Sequence, residues 1–252
     1  MRHSSVNTCQ AMAGVILCLG MAAQTCNAAI AFDRTRVIFN AGEQSTIVFV
    51  KNENKQLPYL AQTWVEDASG KKTDAILTAL PPVQRVEAGE KGQIKIQSTG
   101  STASLPQNKE SLFYFNVREI PPRSNKPNTL QIALQTRVKM FYRPASIVLK
   151  SSEMNEPLKK LTMTRSGDGY VINNPTPYFI SVVAASAALK GKDVENFESV
   201  MIPPESNEKL DVRPSSLGSR PVLTAINDFG GRPKVVFDCS AATCSVSSVE
   251  AG

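Results

Sequence analysis

TLQIALQTRVKMFYRP, residues 129–144, contains no glycine, and its one proline closes it. Leu130, Ile132 and Leu134, then Val138 and Met140, alternate with polar or small residues. Strand side chains point to opposite faces with a period of two, so the stretch predicts a β-strand. It predicts a long one, about 14 residues or roughly 46 Å at about 3.3 Å each, against a common length of about 5–6. One small domain does not easily cover both ends of such a strand. Part of it is therefore expected at an edge, with an apolar row and unpaired backbone groups that invite another chain. From alternation alone, a long core hairpin strand remains the ordinary reading.

The chain around it is β-rich and punctuated by turns. RVIF (36–39), STIVFVK (45–51), YLAQTWVE (59–66), GQIKIQ (92–97) and SLFYFNVRE (111–119) read as strands. Asn40-Ala41-Gly42, Asn52-Glu53-Asn54 and Ala68-Ser69-Gly70 read as turns, and prolines make 80–83 extended. A proline-bearing loop, 121–127, leads into the long strand. After Pro144 a polar stretch (SSEMNEP, 151–157) precedes a second series: 158–165, 169–173, 179–189, 199–202, 209–212, 222–227 and 234–239. VVAASAA (182–188) has helical propensity, but its β neighbours favour a strand. Short strands at regular spacing predict an all-β protein of two β-sandwich domains, 29–147 and 148–252.

The N-terminus has the layout of a secretory signal peptide. Arg2 and His3 give a basic start, AMAGVILCLGMAA (11–23) is an uncharged apolar run, and Cys26-Asn27-Ala28 offers a cleavage site. The run is short for a membrane span of about 20 residues. A lipidated Cys26 is disfavoured by the bulk of Thr25, so cleavage after Ala28 is expected, with residues 1–28 as the signal peptide.

Cleavage removes His3, the only histidine, together with Cys9, Cys18 and Cys26, and lowers the net charge from +6 to +5 with the loss of Arg2. Without histidine, Ser-His-Asp and Cys-His chemistry cannot be assembled. A metal site would depend on carboxylates and on Cys239 and Cys244, which the exported setting favours as a disulfide. No dense Lys/Arg run with interleaved aromatics argues for nucleic acid. Ser206 and Lys209 match a Ser-x-x-Lys hydrolase pattern, but they follow Pro203-Pro204, precede a predicted strand and lack its companion motifs. Gly167-Asp168-Gly169 reads as a turn, not a phosphate loop.

Arg36 and Lys139 are cations inside apolar β stretches. A cation in a strand usually faces solvent. Two meeting in a cleft would instead bind a carboxylate through charge-assisted hydrogen bonds. Glu110, Arg143 and Asp228 also stand beside apolar or aromatic runs, as surface charges or as a buried ionic network at the domain junction.

AFDRTRVIF, NKQLPYLAQTW, PPVQR, ESLFYFNVREIPPR, the opening stretch itself, NPTPY, INDFGGRP and the terminal Cys-x4-Cys, in this order, resemble the periplasmic pilus-assembly chaperones over essentially the whole mature chain. The resemblance implies two immunoglobulin-like domains in an L or boomerang. It implies a periplasmic protein that lends its long strand (about 129–142) to pilus subunits lacking one, with Leu130, Ile132 and Leu134 as the inserted row. Arg36 and Lys139 would anchor the subunit's C-terminal carboxylate, and Glu110, Arg143 and Asp228 would form the interdomain charge network. An outer-membrane usher would receive the complex. Neither enzymatic reaction nor cofactor nor metal is implied. The short loop before the strand resembles the subclass serving rod-like adhesive pili. Lys95 in place of an arginine and a tail after Cys244 (SVSSVEAG) with little basic character depart from the pattern. An exported structural or adhesive pilus component is the alternative, and self-association of the free form is left open.

Overall fold

The computed structural model describes residues 28–252; the expected signal peptide, 1–28, lies outside the described residues except for Ala28. The first domain carries β1 (Ile30–Phe32), β2 (Arg36–Asn40), β3 (Ser45–Asn52), β4 (Tyr59–Asp67), β5 (Lys72–Thr73), β6 (Leu77–Leu80), β7 (Val83–Val86), β8 (Lys91–Ser98), β9 (Ser111–Ile120) and β10 (Gln135–Arg143). One sheet runs β1-β3-β8-β6. The facing sheet runs β2-β10-β9-β4-β5, with β7 also on β4. The alternation read from the sequence appears as burial: on β8, Gly92, Ile94 and Ile96 point inward while Lys91, Gln93 and Lys95 are exposed. Phe39, Val48, Val50, Ile94, Ile96, Phe115, Met140 and their neighbours fill the space between the sheets.

The chain changes sheets between β1 and β2. β1 pairs with β3, and after Asp33-Arg34-Thr35 the chain joins β10 in parallel, with Arg36 beside Lys139 and Asn40 beside Arg143. β2 is too short to follow the whole of β10. Residues 135–138 therefore have β9 on one side and no strand on the other among the described residues.

The long strand is shorter than the sequence predicts. Ladder pairing covers Gln135–Arg143, and 129–134 lie outside it. The Glu119 amide donates to the Leu134 carbonyl at 3.0 Å, and there the pairing ends. Beyond Ile120 the partner strand runs into Pro121-Pro122, which have no N–H to donate. The segment has the pattern of a strand but has no ladder neighbour among the described residues.

The second domain carries β11 (Thr162–Ser166), β12 (Gly169–Asn174), β13 (Ile180–Ser186), β14 (Val200–Ile202), β15 (Ser206–Leu210), a one-turn helix α1 (Pro214–Leu217), β16 (Val222–Ile226), β17 (Lys234–Ser240) and β18 (Thr243–Glu250). VVAASAA falls largely in β13, as expected. Residues 151–160 form two short 3-10 turns (Ser151–Glu153 and Glu156–Lys160), so the strand expected from 158 begins at Thr162. The tail read after Cys244 is strand β18, which pairs with both β17 and β11.

All eight strands form one sheet, in the order β14-β13-β16-β17-β18-β11-β12-β15. Register shifts at Val182/Ala184 and at Val236/Phe237 bend it, as bulges do. Its end strands β14 and β15 come into contact, closing the layers around Leu161, Met163, Tyr170, Ile172, Leu223 and Phe237. Cys239 and Cys244 face each other across the β17–β18 hairpin and are disulfide-bonded.

Candidate functional site

β10 has two faces with different tasks. Met140 and Tyr142 point into the first domain's core, joined by the partly buried Val138. Leu130, Ile132 and Leu134 continue the same alternation in sequence, in the segment outside the ladder that leads into β10. There they are 83%, 60% and 39% exposed. Lys139, Phe141 and Arg143 have the opposite parity and face the second domain, together with Arg36 on β2.

The two cations singled out in the sequence are neighbours. Arg36 is only 6% exposed. Its Nη1 donates to the Ile226 carbonyl at 2.9 Å, its guanidinium lies 5.8 Å from the Phe141 ring centroid, and its buried Nε has no partner among the described residues. Burial pushes its pKa down, against the attraction of Asp228 and Glu110. Lys139 Nζ approaches Ser181 Oγ at 3.4 Å. Its pKa is lowered first by burial and then by the charge of Arg36. Neither makes an ion pair among the described residues. Cations drawn out of water without an ion-pair partner are costly, and such a pair is complementary to an anion.

Glu110, Arg143 and Asp228 do come together. Arg143 Nη2 is 2.7 Å from Glu110 Oε1, and its Nη1 is 2.7 Å from Asp228 Oδ2 on the second domain. Glu110 Oε2 accepts from the Phe179 amide at 2.8 Å. Burial pushes the Glu110 carboxyl up, against the pull of Arg143 and that amide. Burial also opposes the Arg143 charge, but Asp228 and Glu110 outweigh it and raise its pKa above the ordinary range.

Contacts that the sequence did not single out complete the junction. Phe141 stacks on Phe179 with centroids 5.3 Å apart, Tyr178 Oη donates to the Ile147 carbonyl at 2.7 Å, and the Glu110 amide donates to the Pro177 carbonyl at 2.9 Å. Nothing local in NPTPYFIS marks these residues as interface, because their partners lie about seventy positions or fewer upstream. At Gly230 the backbone has φ +82°, and a Cβ there would meet Thr35 Oγ1 at 2.8 Å, so glycine is what lets this turn approach the first domain. Between that turn and β2 lies a cleft of about 450 Å³, lined by Arg34, Arg36, Ile38, Met154 and Phe229 among others.

Ser206 and Lys209 do not form a nucleophile–base pair. Both are on β15, and three residues of separation on a strand place them on opposite faces. Gly167-Asp168-Gly169 is the β11–β12 turn, with Gly167 at φ +59°.

Two β domains are thus joined by a buried ionic network, with a cationic pair at their junction and an apolar row in the segment that leads into one strand. The chain belongs to the pilus-assembly chaperone family: residues 29–148 match the "Pili and flagellar-assembly chaperone, PapD N-terminal domain" and residues 156–237 the "Pili assembly chaperone PapD, C-terminal domain". It is 47% identical to the probable fimbrial chaperone YfcS of Escherichia coli K12, over 87% of this chain and 86% of that one. It is 45% identical to the chaperone protein PapD of Escherichia coli, over 87% and 90%. A chain in the solved complex of the Salmonella enterica SafA pilin with the SafB chaperone superposes with a TM-score of 0.69 at 25% identity, over 86% of this chain and 99% of that one. The architecture shared with these relatives is two immunoglobulin-like domains set as a boomerang.

Proposed function

We propose that this chain binds and caps pilus subunits in the periplasm by lending them residues 129–142, with Leu130, Ile132 and Leu134 filling the client's open core. The observation that carries this reading is the row itself: large aliphatic side chains, alternating in sequence as in a strand, exposed on a segment without a ladder partner among the described residues. Strand addition to an open sheet edge is an established mode of recognition, of which chaperone–pilin complementation is a recognised instance. Burying three aliphatic side chains contributes roughly 5–9 kcal/mol at about 1.5–3 each.

Arg36 and Lys139 anchor the client's C-terminal carboxylate and fix the register, because a one-residue slip would turn the apolar row outward. Each charge-assisted bond contributes about 1.5–3 kcal/mol. Residues 1–28 direct export and are removed, and an outer-membrane usher takes over the loaded complex. The domains run from 29 to 147 and from 148 to 252, and the Cys239–Cys244 bond locks the second domain's hairpin.

Co-expression with a pilus subunit from the same organism tests the reading. The wild-type chain is expected to purify from the periplasm in a one-to-one complex, and Arg36→Ala is expected to fold but lose the subunit. Normal yield of complex from both Arg36→Ala and Lys139→Ala would overturn the anchor.

A further inference from the structure

Arg36 and Lys139 are register partners in the first domain, on β2 and β10. Their acceptors are register partners in the second. Arg36 Nη1 donates to the carbonyl of Ile226, Lys139 Nζ reaches the hydroxyl oxygen of Ser181, and Ser181 lies directly opposite Ile226 in the pairing of β13 with β16. Two adjacent cations on one domain thus face two adjacent oxygens on the other. Ser181 is 3% exposed, and its hydroxyl has one hydrogen bond among the described residues, the contact with Lys139.

A lysine beside an arginine needs such an acceptor. Its ammonium sits on a flexible four-carbon stem and is strongly hydrated, so repulsion by the neighbouring guanidinium favours swinging it out to solvent. An oxygen held rigidly by the opposite domain keeps it in. One ammonium proton is used in this way; the other two, and the Ser181 O–H, remain for an incoming group.

We propose that the carboxylate anchor is built by both domains, with Ser181 as the residue that positions the Lys139 ammonium beside Arg36 and the Ile226 carbonyl as its counterpart for Arg36. The inference rests on reading Arg36 and Lys139 as the anchor. It makes the second domain part of the binding site, and it ties the anchor's geometry to the junction held by Arg143 and Asp228.

The test uses the chain from Ala29 to Gly252 and two synthetic peptides of one alternating apolar sequence, one ending in a free carboxylate and the other in an amide. The wild type is expected to prefer the carboxylate form. Ser181→Ala is expected to reduce that preference roughly fivefold, the size of one net hydrogen bond, through weaker binding of the carboxylate peptide alone. Ser181→Thr, which keeps the hydroxyl, is expected to restore it. If Ser181→Ala does not fold, Ser181→Cys, a weak acceptor of similar size, is read in the same way. An unchanged preference overturns the proposal, and so does equal weakening of both peptides, which would mark Ser181 as structural only. A wild type that does not distinguish the peptides overturns the anchor itself, and this inference with it.

Discussion

Arg36 and Lys139 stand side by side across two parallel strands, both turned toward the second domain, with no carboxylate paired to either among the described residues. Like charges in register work against folding, so the free protein carries this pair at the expense of its stability. Lys139→Met is therefore expected to raise the stability of the free chain by about 1 kcal/mol while abolishing client retention.

The same residue gives a pH signature. Its folded pKa lies below the ordinary 10.5, through burial and then Arg36. In the window between the depressed value and 10.5 the unfolded chain binds more protons, so stability rises with pH there and is lost as pH falls through the folded pKa. Urea denaturation across the alkaline range should show this rise in the wild type and a flatter curve in Lys139→Met. Equal slopes would remove Lys139 as its source.

The interdomain network should respond unequally to its parts. Arg143→Ala leaves the Glu110 carboxylate buried, with the Phe179 amide as its one remaining donor among the described residues, and is expected to cost about 3–5 kcal/mol. Asp228 is 25% exposed, so Asp228→Asn is expected to cost about 1 kcal/mol or less. Denaturant midpoints of the two variants decide the order, and a larger loss in Asp228→Asn would contradict it.

Residues 130, 132 and 134 should separate binding from stability. Leu130→Ser with Ile132→Ser removes side chains that are largely in solvent, so the free chain should change by no more than about 0.5 kcal/mol per site. Client yield should collapse. A large drop in thermal midpoint would show instead that the row packs on its own domain.

Gly230→Ala is expected to destabilise by about 1–2 kcal/mol, from the left-handed backbone and from the contact with Thr35. Adding Thr35→Ala should relieve the steric part and leave the backbone part. A double variant no better than the single would place the whole effect in the backbone.

Much of this was legible in the sequence, and the misses share a cause. Period-two burial identified nearly every longer strand, because each has one face in a core. The same signal overran at 129–134, where alternation persists but the partner strand has ended in Pro121-Pro122. It also failed at β18: SVSSVEAG is small and polar, and the segment is held as a strand by neighbours on both sides rather than by its own propensity. Arg36, Lys139, Glu110, Arg143 and Asp228 stood out as charges in apolar surroundings. Ser181, Tyr178 and Phe179 did not, because their significance comes from the domain opposite.

The crossing of the chain from one sheet to the other at Asp33-Arg34-Thr35 has a metrical consequence. It fixes where β2 begins, and so where the vacant flank of β10 ends, beside Lys139. With residues 130–134 extended in line with β10, the flank from there back to Leu130 would span about 30 Å at about 3.3 Å per residue. The switch thus works as a ruler. Moving it by two residues would lengthen or shorten the gauge by about 7 Å without altering any residue of the row being measured.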